Sequence, residues 1–133
     1  LNPDLLAAVP FVRKTFMQLP SKMRFISAQL IALFDGDLWH RNASISNARA
    51  QRLATGLTAI EGVHISQPVQ VNGVFAVLPA AVTERLQQEY TFYTWDHHTG
   101  EVRLMCSWDT TESDIDAFVA AVSHEMATFV TGT

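Results

Sequence analysis

Apolar positions along the chain alternate between two spacings, and proline, glycine or short polar residues mark the changeovers. Residues 23–34 are nearly all apolar, with Met23, Phe25, Ile26, Leu30, Ile31, Leu33 and Phe34 among them. The spacing predicts a helix that is apolar all round and must be covered on most sides. A domain of this size seldom has room for such a helix in its own core, so it is expected to lie between two bodies. Upstream, Asn2 reads as an N-cap before Pro3 at the first helical position. The helix that follows is expected to bend or end at Pro10, and Pro20-Ser21 opens the next segment.

Asp35-Gly36-Asp37 is a break, after which a long helix is expected from about Leu38 to Ile60. Leu53, Leu57 and Ile60 share one face, Ala50 and Ala43 continue it upstream, and Gly62 supplies the stop. Val63–Ser66 and Val69–Leu78 read as strands, the second broken by Asn72-Gly73. Pro79 starts a short helix over about Ala80–Glu89, with Val82 and Leu86 turned inward. Thr91–Trp95 and Glu101–Trp108 form a hairpin around the turn His97-His98-Thr99-Gly100. Thr111-x-x-Asp114 has the form of a capping box. The last helix carries Ile115, Phe118, Val119, Val122, Met126 and Phe129 as one apolar stripe. Three helices, two strands, a short helix, two strands and a final helix make an α+β fold, a small antiparallel sheet covered by helices on one face.

Composition adds limits to this picture. With 133 residues, 48% of them hydrophobic, the chain has enough apolar content for an ordinary core, which excludes disorder. Charged residues make up only 17%, below the usual quarter, so more than one face or a surface held against something else is expected to be buried. The net charge is −4, and the nine basic residues, seven Arg and two Lys, are scattered, which argues against nucleic acid as a partner. No apolar run approaches the ~18 residues of a membrane span. The start Leu1-Asn2-Pro3-Asp4 has neither the basic nor the apolar region of a secretory signal. A single cysteine, Cys106, suits a reducing compartment, so a cytoplasmic location is expected. Because the chain begins with Leu rather than Met, it is expected to be a piece of a longer polypeptide.

Most candidate chemistry dissolves on inspection. His124-Glu125 lacks the second histidine that a zinc-protease helix needs four residues on, since position 128 is Thr; a solvated helix face is expected instead. His97 and His98 read as turn residues in water. Cys106 reads as a small buried hydrophobe, with Arg103 pointing to the other side of the strand. No serine stands in a Gly-x-Ser-x-Gly elbow, and the six glycines are isolated, so no phosphate-cradling loop is present. Arg103 stands out because it sits mid-strand among apolar neighbours in Val102-Arg103-Leu104-Met105-Cys106. It must snorkel to the sheet face, find an ion pair, or meet the carboxylate of a ligand. Lys22 and Arg24, at the start of the apolar helix, are either a solvated first turn or cations beside an anion at the helix N-terminus.

Three stretches carry a resemblance. Ser21-Lys22-Met23-Arg24-Phe25-Ile26-Ser27-Ala28-Gln29, then Gly36-Asp37-Leu38-Trp39 with Asn42-Ala43, then Val102-Arg103-Leu104-Met105-Cys106-Ser107-Trp108-Asp109-Thr110-Thr111-Glu112 resemble, in order and spacing, the C-terminal part of low-specificity L-threonine aldolases. The likeness covers nearly the whole chain, and its most specific element is Arg103-Leu-Met-Cys-Ser-Trp-Asp-Thr-Thr111. Those lyases are pyridoxal-phosphate enzymes of the aspartate-aminotransferase-like fold, fold type I. They cleave β-hydroxy-α-amino acids such as threonine to glycine and an aldehyde, the cofactor taking up electrons as the Cα–Cβ bond breaks. The resemblance implies that Arg103 holds the substrate carboxylate, that Lys22 and Arg24 lie in the neighbourhood of cofactor and active site, and that the enzyme is a homo-oligomer.

Where the chain departs from the family is equally informative. Neither Lys14 nor Lys22 stands in the Gly-rich segment that carries the family's cofactor lysine. The family's ring-stacking histidine, pyridine-facing aspartate and phosphate-binding glycines, all large-domain features, are also missing. The resemblance therefore implies a helical segment, residues 1–35, leading from an absent large domain, followed by a small α+β domain, residues 36–133. Pyridoxal phosphate belongs to the longer parent, with none bound covalently here, and the chain alone is expected to be inactive. The alternative is a non-catalytic α+β module that binds a partner or a small acid.

Overall fold

In the computed structural model, which describes residues 2–131, the chain divides into two compact units, one up to Trp39 and the other from His40 onward. The first is helical. Asn2 accepts a bond from the Asp4 N–H and caps a short 3₁₀ turn, Pro3–Leu5, as its sequence predicts. Helix α1 spans Val9–Thr15 and α2 spans Met23–Phe34. Pro10 lies in the first turn of α1 and so starts a helix rather than ending one. A first-turn residue has no intrahelical acceptor for its N–H, so proline loses nothing there. None of the twelve residues of α2 is buried, and Phe25, Ile31 and Phe34 are each 60–63% exposed.

The second unit holds the core. Helix α3, Leu38–Thr58, enters from the first unit and presents Ser46, Ala50, Leu53, Ala54 and Leu57 to the interior. Ala43, expected on that stripe, is exposed, and Ser46 takes the inward place by donating its hydroxyl to the Asn42 carbonyl at 2.8 Å. A chain hydroxyl can be buried when the helix backbone itself accepts its proton. Gly62 falls in the turn after the helix, four residues past its end.

Strands β1 (His64–Ile65), β2 (Gly73–Val77), β3 (Tyr93–Asp96) and β4 (Glu101–Met105) form one antiparallel sheet in the order β1-β2-β4-β3. β4 is thus flanked on both sides, with Arg103 opposite Phe75 on β2 and Tyr93 on β3. It stops at Met105, because the next residue turns its bonds elsewhere. The Cys106 N–H donates to the Asn72 carbonyl, and the Asn72 side chain donates back to the Cys106 carbonyl. The turn between β3 and β4 requires Gly100, which adopts φ +74°, and a Cβ there would meet the Leu78 carbonyl oxygen at 2.6 Å.

Period-two alternation decides what each sheet face meets. Val74, Ala76, Leu78, Val102, Leu104 and Cys106 are buried on one face. Over them lie α3, the short helix α4 (Ala80–Leu86) through Val82 and Leu86, and α5 (Glu112–Thr131) through Ile115, Phe118, Val122 and Met126. Each buried Leu or Val side chain contributes about 1.5–3 kcal/mol relative to exposure. The stripe of α5 ends at Met126, and Phe129 is 36% exposed. Where α3 meets α5, a Cβ on Gly56 would stand 2.8 Å from Val119 Cγ2. The absent side chain is what lets the two helices approach.

Candidate functional site

Arg103 stands in the middle of the sheet face opposite the core residues. Phe75, Tyr93, Trp95 and Arg103 alternate with the core residues and so share this face. The Arg103 guanidinium carbon lies 4.9 Å from the Trp95 ring centre and 5.6 Å from that of Tyr93. Trp95 in turn meets Phe75 edge-to-face, centroids 5.6 Å apart at 77°. Between Thr94 and Asp96 the β3–β4 register shifts, so Trp95 is the extra residue of a bulge. A bulge frees a residue from strict pairing and re-aims its side chain.

Guanidinium is weakly hydrated and stacks readily on aromatic faces, but stacking uses only its flat side and leaves the N–H edge unpaired. Among the described residues no carboxylate pairs with Arg103, and its Nε is buried without a hydrogen-bond partner. Leaving such a donor unpaired costs about 1–3 kcal/mol. Two oxygens of a carboxylate, placed in the guanidinium plane, would be met by the two terminal N–H groups. Glu101 shares the strand and face, yet it is engaged elsewhere, accepting the Ser66 hydroxyl at 2.5 Å.

The rest of the 102–112 motif has structural work. Thr110 accepts the Ser107 N–H on its hydroxyl, and its carbonyl accepts Arg49 Nε at 3.2 Å. Thr111 and Asp114 exchange N–H bonds, 2.9 and 3.2 Å, completing the expected capping box. Hydrogen bonds from the Thr111 hydroxyl and N–H hold the Asp114 carboxyl below the usual carboxylate range. Glu112 pairs with Arg49 at 2.5 Å, and Asp116 takes a two-point bond from Arg52 at 2.8 and 3.0 Å. That bond lowers the Asp116 carboxyl and raises the Arg52 guanidinium. Acids in the first turn of α5 also suit the positive end of its dipole.

Other sequence candidates land as follows. Cys106 is buried, and burial pushes its thiol up, so it stays protonated and inert. His97 and His98 are exposed in the hairpin turn, where Asp96 accepts the His98 N–H at 2.8 Å. His124 is exposed, whereas Glu125 is half-buried and pairs with Arg85 of α4. No group of three or more metal-ligating side chains occurs among the described residues. Nor is any helix among them long and apolar enough to cross a membrane. Lys22 caps α2 without a side-chain bond, and Arg24 follows in its first turn; both are exposed. In sequence, Tyr93 and Trp95 are only part of an aromatic strand; their odd-position alternation with Arg103 across the hairpin is the signal that points to them.

No family model matches the chain. It is 38% identical over 111 residues to the low specificity L-threonine aldolase of a Pseudomonas species, a match covering 83% of this chain and 32% of that enzyme. The enzyme of the same name from Pseudomonas aeruginosa is 38% identical over 110 residues, covering 82% and 32%. A solved structure of Leishmania major threonine aldolase aligns with TM-score 0.61 at 26% identity, over 71% of this chain and 28% of that one. The chain is thus similar in sequence to threonine aldolases, and its α+β fold matches that of one of them. The chain spans about a third of the length of the curated relatives it matches.

Proposed function

We propose that this chain is the C-terminal part of a pyridoxal-phosphate-dependent aldolase that cleaves threonine and similar β-hydroxy-α-amino acids to glycine and an aldehyde. Within it, residues 1–35 lead in from a large domain and residues 36–133 form the small domain. The observation that carries the reading is Arg103 on the sheet face opposite the core, with no carboxylate partner among the described residues, at the position the family resemblance gives to the carboxylate clamp. Arg103 donates in-plane N–H bonds to both oxygens of the substrate carboxylate. This fixes the substrate's rotation and so the direction of its Cα–Cβ bond.

The residues of this chain do not fit the cofactor itself. Lys14 and Lys22 are both solvent-exposed, whereas a lysine that binds a carbonyl needs a desolvated setting to lose its proton. Pyridoxal phosphate is accordingly assigned to the large domain, and the chain alone is inactive. Lys22 and Arg24 lend positive charge near the active site. Exposed Phe25, Ile31 and Phe34 on α2 are covered in the complete enzyme by that domain or by a second subunit of a homo-oligomer. With its one cysteine reduced, the protein works in the cytoplasm.

In the full-length enzyme, Arg103→Ala lowers kcat/KM for threonine by a factor equivalent to roughly 2–5 kcal/mol. An unchanged kcat/KM removes the assignment. The same exposed α2 side chains favour a second reading, a non-catalytic module with α2 as its interface. Mixing the chain with an N-terminal aldolase half separates the two, because only the first reading restores activity.

A further inference from the structure

We propose that Trp95 and Tyr93 are positioning residues for Arg103, an aromatic brace that turns its N–H edge toward the ligand. The proposal rests on the reading of Arg103 as carboxylate clamp. Arginine on a flat sheet face is a poor clamp by itself, since its long side chain has about 2 kcal/mol of rotamer freedom to lose on binding. Here that freedom is already restricted. Tyr93 stands directly opposite Arg103 in the ladder, 5.6 Å from ring centre to guanidinium carbon. Trp95 comes closer, 4.9 Å, although it is the bulged residue and pairs with nothing across the strand. In an unbroken register Trp95 would face Glu101; the bulge gives that place to Asp96. Phe75, opposite Arg103 on the other neighbour, then sets the plane of Trp95 through its edge-to-face contact.

The two rings pack on the guanidinium, 4.9 and 5.6 Å from its carbon, and its terminal N–H groups are the ones that bind a carboxylate. Neither ring is a core residue. Tyr93 is 69% exposed and Trp95 54%, so their packing value to the fold is small. The bulge costs ladder bonds, and the visible return is the placement of Trp95.

The test uses the full-length enzyme with Trp95→Leu, Tyr93→Leu, Trp95→Phe and Arg103→Ala, assayed on threonine and on threonine amide. Trp95→Leu raises KM for threonine roughly three- to thirtyfold, the range of a cation–π contact. Its kcat changes less than its KM, and its preference for threonine over the amide falls in proportion. Tyr93→Leu gives the smaller effect of the longer contact, and Trp95→Phe recovers most of the preference. A Trp95→Leu enzyme that keeps the full carboxylate preference overturns the brace, whether or not its melting temperature falls. If Arg103→Ala also keeps that preference, the clamp reading itself fails; if Arg103→Ala loses it and Trp95→Leu does not, only the brace fails.

Discussion

The guanidinium carbon of Arg103 lies over Trp95, 4.9 Å from its ring centre, while the Arg103 Nε is buried with nothing to bond. One contact is satisfied and the other is left open in the same side chain. A buried donor left unpaired is a cost to the folded state.

Stability and activity should therefore move apart at this position. Arg103→Met keeps the aliphatic bulk over the rings and deletes the unpaired donor. Thermal or urea unfolding is expected to show stability unchanged or raised by up to ~1 kcal/mol, with activity lost. A loss of stability well beyond 1 kcal/mol would mean that Arg103 is there for the fold.

Gly56 sets the approach of α3 to α5. Alanine there gains about 1 kcal/mol of helix propensity, but its Cβ stands 2.8 Å from the stiff Val119 side chain. Overpacking costs about 1–3 kcal/mol, so Gly56→Ala is expected to be neutral to destabilising, and Gly56→Val clearly destabilising. Urea midpoints measure both, and a stabilised Gly56→Val contradicts the packing.

Acid should loosen the start of α5. The carboxyls of Asp114 and Asp116 are held below their ordinary range by bonds from Thr111 and Arg52. A pKa lower in the folded than the unfolded state gives stability that is complete above roughly pH 4, the ordinary aspartate value. It is lost as pH falls through the folded values. Melting temperatures between pH 7 and pH 2.5 should fall most in the acid range. Thr111→Ala, which removes the cap, should cost about 0.5–2 kcal/mol at pH 7 and flatten that fall.

Cys106 should resist modification. Its thiol is buried and its pKa pushed up, so iodoacetamide at pH 8 is expected to label the native chain far more slowly than the urea-unfolded one. Equal rates would place the thiol at the surface. Cys106→Ser, which buries a hydroxyl among apolar neighbours, is expected to cost about 1–3 kcal/mol.

Much of this was readable in the chain. The α5 stripe as far as Met126, the hairpin around Gly100 and the Thr111–Asp114 cap follow from local spacing, and the structure has them. Pro10 departs from expectation because proline breaks a helix or begins one depending on where the first turn falls, which the flanking residues leave open. Ala43 gave way to Ser46 because a one-turn shift of the inward face is invisible when the replacement is polar. Arg103 was legible as an anomaly, a charge among apolar strand neighbours. Its aromatic partners were not, because their meeting depends on a bulge, and a bulge shows only in the pairing of two strands.

The position of β4 between β2 and β3 has a dynamic corollary. Its backbone amides are locked on both sides, so they belong to the most slowly exchanging class, opening only when the whole unit unfolds. The short β1, at one sheet edge, can fray without carrying Arg103 with it, whereas β3, at the other edge, carries the Tyr93 and Trp95 rings that pack on the Arg103 guanidinium. Breathing of the β1 edge and the placement of Arg103 are thereby uncoupled, and the backbone of Arg103 inherits the lifetime of the native state.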